Sequence, residues 1–239
     1  MPNRPKIAII GLGRWGKKLL AEFSKQTEVV AVCHQGSAET STWLAINYPQ
    51  LPILPLPDIL KQRAIIAMVI ATPPSTHHQI AVQALKNDKD VWVEKPVGVS
   101  VKETIELAEL ANRDQKIMFT GYTYLYHPAW KEIKRLLIKH HEKPVWIDYS
   151  WHKWGSFDTP IEDNLLCHDL ALTQDLFQVP LENNRLIAQV GISTNDITIT
   201  SLQHKGKIIG SSYINRLSVD KSKEVTIKCT GDLIFIWKN

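Results

Sequence analysis

A glycine-rich turn directly after the first apolar run constrains the fold of this chain most. Lys6–Ile10 is followed by Gly11-Leu-Gly13-Arg-Trp-Gly16 and then by a helical pattern at 17–23. The first glycine permits a tight strand-to-helix turn, the second admits a pyrophosphate close to the backbone, and the third lets the helix pack on the strand. The turn therefore predicts a dinucleotide site at the N-terminus of a helix. A turn with only a structural purpose is the alternative.

Four further runs rich in Val and Ile follow within the first 120 residues, separated by amphipathic stretches of helical length. This alternation predicts βαβ units with parallel strands covered on both faces. Two of the helical stretches carry capping-box sequences, Thr76 with Gln79 and Ser100 with Glu103. The four runs are 29–33, 64–71, 91–94 and 117–120.

Composition excludes several classes of protein. The 239 residues are 44% hydrophobic and 22% charged, as is typical of a compact soluble protein with one or two domains. The formal net charge of +4 is spread along the chain, so no nucleic-acid partner is expected. The longest apolar run is far below the roughly 20 residues of a membrane span, so no membrane partner is expected either.

The cysteines and the N-terminus indicate the compartment. Cys33, Cys167 and Cys229 are widely separated and form no CxxC or Cys/His cluster. Neither a disulfide framework nor a zinc site is supported, and no metal is predicted. The basic N-terminus has no small-residue cleavage site of a secretory signal. These features predict a reducing, cytoplasmic setting.

The residues after the second apolar run bear on the choice of cofactor. An acid in this region usually holds the ribose 2′-OH of NAD, but the chain has His34, Gln35, Gly36 and Ser37. No carboxylate there repels a 2′-phosphate, and the three side chains can donate hydrogen bonds to it. NADP is therefore slightly favoured over NAD, although no Arg is present to clamp the phosphate. The alternative is that His34 is a solvated loop residue and that adenosine specificity is loose.

Further motifs follow at the ends of predicted strands, the edge at which open α/β sheets bind ligands. They are ATPPSTHHQIAVQAL from residue 71, VEKP from 93, GYTYLYHP from 121 and LCHDL from 166. With the glycine turn, these motifs resemble the Gfo/Idh/MocA family of NAD(P)-dependent oxidoreductases, which includes glucose–fructose oxidoreductase and inositol dehydrogenase. The motifs run in family order over nearly the whole chain.

The resemblance implies two domains. Residues 1–122 are expected to form an α/β NAD(P)-binding Rossmann domain with a doubly wound parallel sheet. Residues 123–239 are expected to form a shortened α+β domain for substrate binding and oligomerisation, with a mainly antiparallel sheet. Most relatives continue beyond this chain's end, which leaves three alternatives: a smaller pocket, an exposed sheet edge, or an edge covered by a second copy. We expect the last, which gives a homodimer or a higher homo-oligomer through the C-terminal sheet. Strand patterns occur at 144–153, 185–193, 196–204, 207–216, 222–229 and 233–237, and helical patterns at 128–139 and 165–177.

The resemblance also assigns a cofactor site and a catalytic lysine. In the family the Lys of EKP lies beside the nicotinamide and the substrate hydroxyl, and the next proline often takes a cis bond. This implies that Lys95 polarises the reacting oxygen; an ordinary surface ion pair with Glu94 is the alternative. The predicted cofactor-binding residues are Gly11, Gly13, Arg14, Trp15, Gly16, His34, Ser37, Thr72, Pro73, His77, Glu94, Lys95 and Pro96.

The second half contains the other candidate catalytic residue, His168. Family members usually have an Asp four residues before this histidine, but here the position is Asn164, which can bond a sugar hydroxyl but cannot raise the basicity of its neighbour. Helical spacing is expected to turn Asp163 and Asp169 away from the face that Asn164 and His168 share. His168 is the predicted general base, and a histidine satisfied within a helix start is the alternative.

The segment 145–154 alternates an apolar face with one that carries polar groups and tryptophans. Such a face can line a carbohydrate pocket, while sheet packing or a subunit interface explains the tryptophans equally well. Tyr124 follows the last run of the first half and can approach the same site, although a core position is the commoner role. The predicted substrate residues are Tyr124, His152, Asn164 and His168.

Three functions agree with these residues. The first is an NAD(P)-dependent dehydrogenase or reductase that moves hydride between nicotinamide and a hydroxyl or carbonyl carbon of a sugar, cyclitol or nucleotide-sugar. The second is a dinucleotide-binding sensor or partner subunit without turnover, which Asn164 and the missing acid after the second run favour. The third uses transient oxidation to enable a net elimination at a sugar.

Overall fold

The computed structural model describes residues 4–155, 160–181, 185–190 and 196–238. The chain folds into two compact units, Met1–Gly121 and Tyr122–Asn239. No helix in these described ranges is both long and apolar enough to cross a membrane.

The N-terminal unit is built on five parallel strands, and the α/β class predicted from the sequence is confirmed. Its strands are β1 Lys6–Ile10, β2 Glu28–Cys33, β3 Ala67–Ile70, β4 Asp90–Val93 and β5 Met118–Thr120. Its helices are α1 Arg14–Gln26, α2 Ala38–Asn47, α3 Leu56–Lys61, α4 Pro74–Lys86 and α5 Val101–Arg113. The strand order is β2-β1-β3-β4-β5, so the chain passes from β1 to β2 on one side and from β2 to β3 on the other side of β1. Such a switch point is where parallel sheets of this kind bind ligands.

Both faces of this sheet are buried, as the apolar strand sequences predict. Along β1, Ile7 and Ile9 pack in one core cluster with Leu20 of α1, while Ala8 and Ile10 pack in another cluster on the opposite face. Each strand thus contributes alternate side chains to two cores. The doubly wound arrangement follows from this burial on both sides.

Of the two predicted capping boxes, the cap at Ser100 is confirmed, with Glu103 reaching back to the residue before the cap, and the cap at Thr76 is wrong. The Ser100 hydroxyl accepts a hydrogen bond from the Glu103 N–H at 3.2 Å, and the Glu103 carboxylate accepts one from the Val99 N–H at 2.8 Å. Thr76 does not cap α4, because the helix already begins at Pro74, whose fixed φ suits a first helical position. The Thr76 hydroxyl instead bonds within the first turn, to the Pro73 carbonyl oxygen and the Thr72 hydroxyl.

The C-terminal unit contains a six-stranded sheet that is mainly antiparallel, as predicted. Its strands are β6 Pro144–Trp154, β7 Arg185–Val190, β8 Ile197–His204, β9 Lys207–Asn215, β10 Leu217–Cys229 and β11 Ile234–Lys238. The order is β11-β10-β6-β9-β8-β7. Among the described strands of this second sheet, only β6 and β9 pair in parallel. The last part of the predicted strand 185–193 lies outside the described residues.

The helices of this unit are α6 Pro128–Lys139 and α7 Cys167–Phe177. A 3-10 helix, Thr123–Tyr126, precedes α6, and a π-helical turn, Glu162–Leu166, runs directly into α7. One core cluster joins these helices to the buried face of β6, where Ile147, Tyr149 and Trp151 alternate with partly exposed residues. The predicted apolar face of this strand is confirmed, except that Val145 is exposed.

A buried lysine holds the end of α3 in the N-terminal unit. Lys89 is 2% exposed, and its ammonium donates hydrogen bonds to the carbonyl oxygens of Gln62 at 2.9 Å and Ile65 at 2.8 Å. These carbonyls follow the last turn of α3 and would otherwise be buried without donors. Burial lowers the pKa of this lysine.

We predict that Lys89→Met lowers the free energy of unfolding by about 2 kcal/mol, because two carbonyls lose a charged donor. Urea unfolding at neutral pH measures this change. Lys86→Met, at an exposed position on the neighbouring helix, is the control and should be neutral within about 0.5 kcal/mol. Equal stability of the two variants would contradict the assignment.

Candidate active site

The first and third glycines of the turn are required by backbone packing. Gly11 has φ +96°, and a Cβ built on it would lie 2.5 Å from the Ala71 carbonyl oxygen. A Cβ on Gly16 would lie 2.0 Å from the Gly11 carbonyl oxygen. These approaches admit no side chain, so the helix α1 starts directly against the carboxyl ends of β1 and β3.

The second glycine is different, because open space surrounds it. Gly13 is exposed, and no heavy atom lies within 4 Å of the position that its Cβ would take. It is the N-cap residue of α1, where no side chain caps the helix and no acidic residue stands in the first turn. Exposed amides, a positive helix end and room for close approach are what a pyrophosphate requires. The residues present therefore fit a dinucleotide.

The other predicted residues of this edge are spread over the first turn of α1 and the end of β2. Arg14 and Trp15 are exposed on α1, and the Lys18 ammonium lies over the Trp15 ring, 4.6 Å from its centroid. His34 follows β2 and accepts a hydrogen bond at Nδ1 from the Gly36 N–H at 3.0 Å. Ser37 precedes α2, is exposed, and makes no capping bond.

His77 joins the two motif loops that follow β3 and β4. It is 1% exposed, with Nδ1 at 2.7 Å from the Pro96 carbonyl oxygen and Nε2 at 2.8 Å from the Thr72 carbonyl oxygen. Because protein carbonyls face both ring nitrogens, the structure places His77 as a brace between the loops. Thr72 is half-buried and Pro73 lies at the start of α4.

The Lys95–Pro96 peptide is cis, as the family resemblance implied. Lys95 is half-buried and follows Glu94, which is largely buried at the end of β4. The Glu94 carboxylate accepts a hydrogen bond from the Lys95 backbone N–H at 3.2 Å, and burial raises the pKa of this carboxyl. Gly121 lies close to the same strand, since a Cβ there would lie 2.6 Å from the Trp92 ring and 3.5 Å from the Glu94 carboxyl carbon.

In the C-terminal unit, His168 is buried among aromatic rings at the start of α7. Its imidazole meets Tyr124 edge-on with ring centroids 4.9 Å apart and Tyr122 edge-on at 6.3 Å. Trp151 lies nearly parallel to it, at 6.3 Å and 25°. Burial raises the pKa values of Tyr122 and Tyr124, so both phenols stay neutral and can donate hydrogen bonds. The structure thus brings Tyr124 and His168 together.

The π-helical turn changes the expected geometry before His168. Asn164 and Asp163 lie within Glu162–Leu166, which is closed by a hydrogen bond from the Cys167 N–H to the Glu162 carbonyl oxygen, five residues back instead of four. The α-helical spacing used to turn Asp163 away from the site does not apply to such a segment. Both residues are half-buried, and their sequence pattern gives no sign of the wider turn.

The sequence expectation considered only which way Asp169 points from the helix. In the structure its carboxylate is fully buried and contacts Trp151, a neighbour of His168. It accepts hydrogen bonds from the Trp151 indole N–H at 2.8 Å and from the Ser212 hydroxyl at 2.7 Å, and the Lys223 ammonium lies 3.9 Å away. This charge pair was not predicted from the sequence. The available signal was alternation along β10, which places Lys223 on the same face as the buried Val225 and Ile227.

His152 does not lie with His168. It alternates with Trp151 along β6 and contacts Ser150 and Tyr213, with 3.1 Å between His152 Nε2 and the Ser150 hydroxyl. Trp151, by contrast, bonds Asp169 on α7. The sheet therefore separates the two histidines, because successive residues of a strand point to opposite faces.

No group of three or more potential metal ligands was found in the part of the chain that the structure describes.

These features define a dinucleotide-binding Rossmann unit joined to an α+β unit. Residues 5–122 match the model of an oxidoreductase family with an NAD-binding Rossmann fold, GFO_IDH_MocA. The N-terminal unit, residues 5–122, belongs to the Gfo/Idh/MocA family of oxidoreductases.

Three known proteins illustrate the similarity. An uncharacterized oxidoreductase of Synechocystis is 31% identical over 139 residues, covering 55% of this chain and 36% of that protein. The scyllo-inositol 2-dehydrogenase (NAD(+)) of Bacillus subtilis is 30% identical over 142 residues, covering 56% and 40%. A crystal structure of scyllo-inositol dehydrogenase from Lactobacillus casei, with bound NAD(H) and scyllo-inositol, shares the fold at TM-score 0.87 and 15% identity, covering 98% and 76%. The matches to the two curated relatives span less than half of the length of each.

We predict that Gly13→Ala weakens NADH and NADPH binding at least about tenfold, because a methyl group would occupy the space that fits the pyrophosphate. Fluorescence titration measures the affinity. The same change should cost at most about 1 kcal/mol of unfolding free energy, since nothing opposes the added atom. Gly16→Ala, which meets backbone at once, should lose the fold and binding together. Unchanged affinity in Gly13→Ala would contradict the assignment.

A second prediction concerns the pH dependence of stability. Burial raises the pKa of Asp169 to about 6 and lowers that of Lys223 to about 8. Between about pH 4 and 6 the folded chain binds the Asp169 proton more tightly than the unfolded chain, so this group makes unfolding free energy fall as pH rises. Between about pH 8 and 10 the unfolded chain binds the Lys223 proton more tightly than the folded chain, so this group makes the unfolding free energy rise with pH.

The variant Asp169→Asn/Lys223→Met removes both groups and serves as the reference. The unfolding free energy of the wild type minus that of the variant should fall by up to about 3 kcal/mol from pH 4 to pH 7. Urea unfolding at several pH values gives this difference. A difference that does not change with pH would show that the two groups titrate normally.

Proposed function

We propose that this protein is an NAD(P)-dependent dehydrogenase or reductase that acts on a CH–OH carbon of a sugar-like substrate. One observation carries the proposal: the open Gly13 turn and the Lys95 loop stand at the carboxyl edge of one parallel sheet, and His77 braces that loop to the end of β3. A site for a dinucleotide and an ammonium group thus share one edge of one unit. The family membership supports the same chemistry.

The N-terminal residues have separate tasks in this proposal. The amides at Gly13 and the first turn of α1 hold the pyrophosphate. The nicotinamide, when bound, supplies or accepts the hydride. The Lys95 ammonium donates a hydrogen bond to the reacting oxygen and stabilises the negative charge that develops there. His77 and Glu94 hold the backbone on either side of this lysine.

In the C-terminal unit, His168 takes up the hydroxyl proton during oxidation and returns it during reduction. Tyr124 and Asn164 are proposed to bond hydroxyl groups of the substrate, and the ring of Tyr122 can stack on its apolar face. The curated relative from Bacillus subtilis is named for scyllo-inositol, which supports cyclitols as the first substrates to test. His152, on the other face of the sheet, is not included in this site.

For the cofactor we propose NADP over NAD. His34 and Ser37 are hydrogen-bonding residues after β2, and none of the residues 34–37 is acidic. The absence of a carboxylate in this segment removes repulsion of a 2′-phosphate. The Lactobacillus casei enzyme of similar fold was crystallised with bound NAD(H), so NADH is the comparison in each titration.

Asn164 favours a second candidate function, a dinucleotide-binding sensor or partner subunit without turnover. The residue cannot supply the carboxylate that the family usually places four positions before the histidine. Titration with NADH and NADPH, followed by a panel of cyclitols, sugars and nucleotide-sugars at the nicotinamide absorbance, separates the two. Substrate-dependent change in absorbance supports the enzyme, and tight binding without turnover across the panel supports the sensor.

We predict that Lys95→Met lowers turnover at least about 100-fold while the dissociation constants of NADH and NADPH stay within about twofold, because the ammonium acts on the substrate oxygen. Steady-state kinetics and fluorescence titration measure the two effects. Lys102→Met, an exposed lysine of α5, should behave as the wild type. Full turnover in Lys95→Met would remove this residue from the mechanism.

A further inference from the structure

The core of the C-terminal unit contains a lysine in an aromatic environment. Lys223 is 3% exposed, and its ammonium lies 3.6 Å from the ring centroid of Tyr124 and 3.8 Å from that of Trp151. Within the described part of the chain this ammonium donates no hydrogen bond. Its nearest carboxylate is Asp169, at 3.9 Å. Burying a charge in this way is costly, and an apolar side chain would fill the space at less cost.

The partner carboxylate fixes one of the same rings. Asp169 accepts the Trp151 indole N–H with both oxygens, at 2.8 and 3.0 Å. Lys223 stands opposite Trp151 in the register of β10 and β6, so the two side chains share a face of the sheet. The indole is therefore held at its edge by Asp169 and on its face by Lys223.

Both rings held in this way also contact the histidine. Tyr124 meets His168 edge-on at 4.9 Å, and Trp151 lies nearly parallel to it at 6.3 Å. Tyr124 and Trp151 further meet each other edge-on at 5.4 Å. The charge pair, the two rings and the imidazole thus form one continuous set of contacts within a single unit.

We propose that Asp169 and Lys223 are positioning residues for His168, acting on its imidazole through the rings of Trp151 and Tyr124. The proposal rests on the proposed function, in which His168 exchanges the substrate proton. The pair holds two of the aromatic neighbours of the imidazole, Trp151 and Tyr124, in one arrangement and so limits the orientations that the ring can take. A general base must be held at the proton it abstracts, and a small displacement is costly.

Side-chain NMR of the full chain, labelled with ¹³C,¹⁵N-histidine, tests the positioning without requiring activity. The His168 signal is assigned by its absence in His168→Gln. In the wild type, ring currents from Tyr124 and Trp151 should displace the His168 ring protons from the values of free histidine. Lys223→Met and Asp169→Asn should each lose most of this displacement, whereas Lys228→Met, an exposed lysine on the same strand, should keep it.

The doubly neutral Asp169→Asn/Lys223→Met guards against simple unfolding of the single variants. It leaves no buried charge unpaired and is expected to fold. It should show the same loss of ring-current displacement, because neither the cation on the ring faces nor the charged acceptor of the indole N–H remains. Wild-type His168 signals in this folded variant would overturn the proposal.

Kinetics with a polyol that the wild type turns over test the consequence. In the doubly neutral variant kcat should fall about 10- to 100-fold, with KM and the cofactor dissociation constant within about threefold. Unchanged kcat alongside lost ring-current displacement would overturn the role in the reaction. Absence of turnover in the wild type would count against the proposed function itself, and the NMR comparison would then decide the positioning alone.

Discussion

The N-terminal unit depends on backbone packing against backbone at the glycine turn. Because Gly16 lies where a Cβ would meet the Gly11 carbonyl oxygen at 2.0 Å, α1 begins directly on the sheet edge. Gly11 in turn lies against Ala71, which brings the loop after β3 to the same place. His77 then fixes the cis-proline loop to that first loop. One local constraint therefore decides where the helix end, the two loops and Lys95 stand along the sheet.

The C-terminal unit differs from the N-terminal unit in that its core contains a pair of charged side chains as well as apolar groups. Asp169 and Lys223 stand in the same interior as Trp151 and Tyr149, and each makes contacts that an apolar residue could not make. Buried charge pairs rarely add stability over a well-packed apolar core. We propose that the value of this pair lies in a defined arrangement of the side chains around it, two of which contact His168.

Much of the N-terminal unit could be predicted because its signals are local. The strand runs, the Gly11–Gly16 spacing and the cap at Ser100 depend on neighbours within a few residues, and the structure confirms them. The misplaced cap at Thr76 shows the limit, since Pro74 competes as a helix start. In the second unit the decisive contacts are distant in sequence: Lys223 meets Asp169 because β10 pairs with β6 and α7 packs against β6. The π-helical turn and the opposite faces of His152 and Trp151 likewise emerge only from the folded sheet and helix.

Hydride transfer between a polyol carbon and a bound nicotinamide is the step on which the proposed chemistry depends. A deuterium label at the carbinol carbon of a cyclitol tests it most directly, with the isotope in the reduced nucleotide read by mass spectrometry after incubation with NADP⁺ or NAD⁺. We expect deuterium in the nicotinamide ring, transferred by the wild type and at least about 100-fold more slowly by Lys95→Met. Saturating cofactor binding with no deuterium transferred from any cyclitol, sugar or nucleotide-sugar in the panel would contradict it.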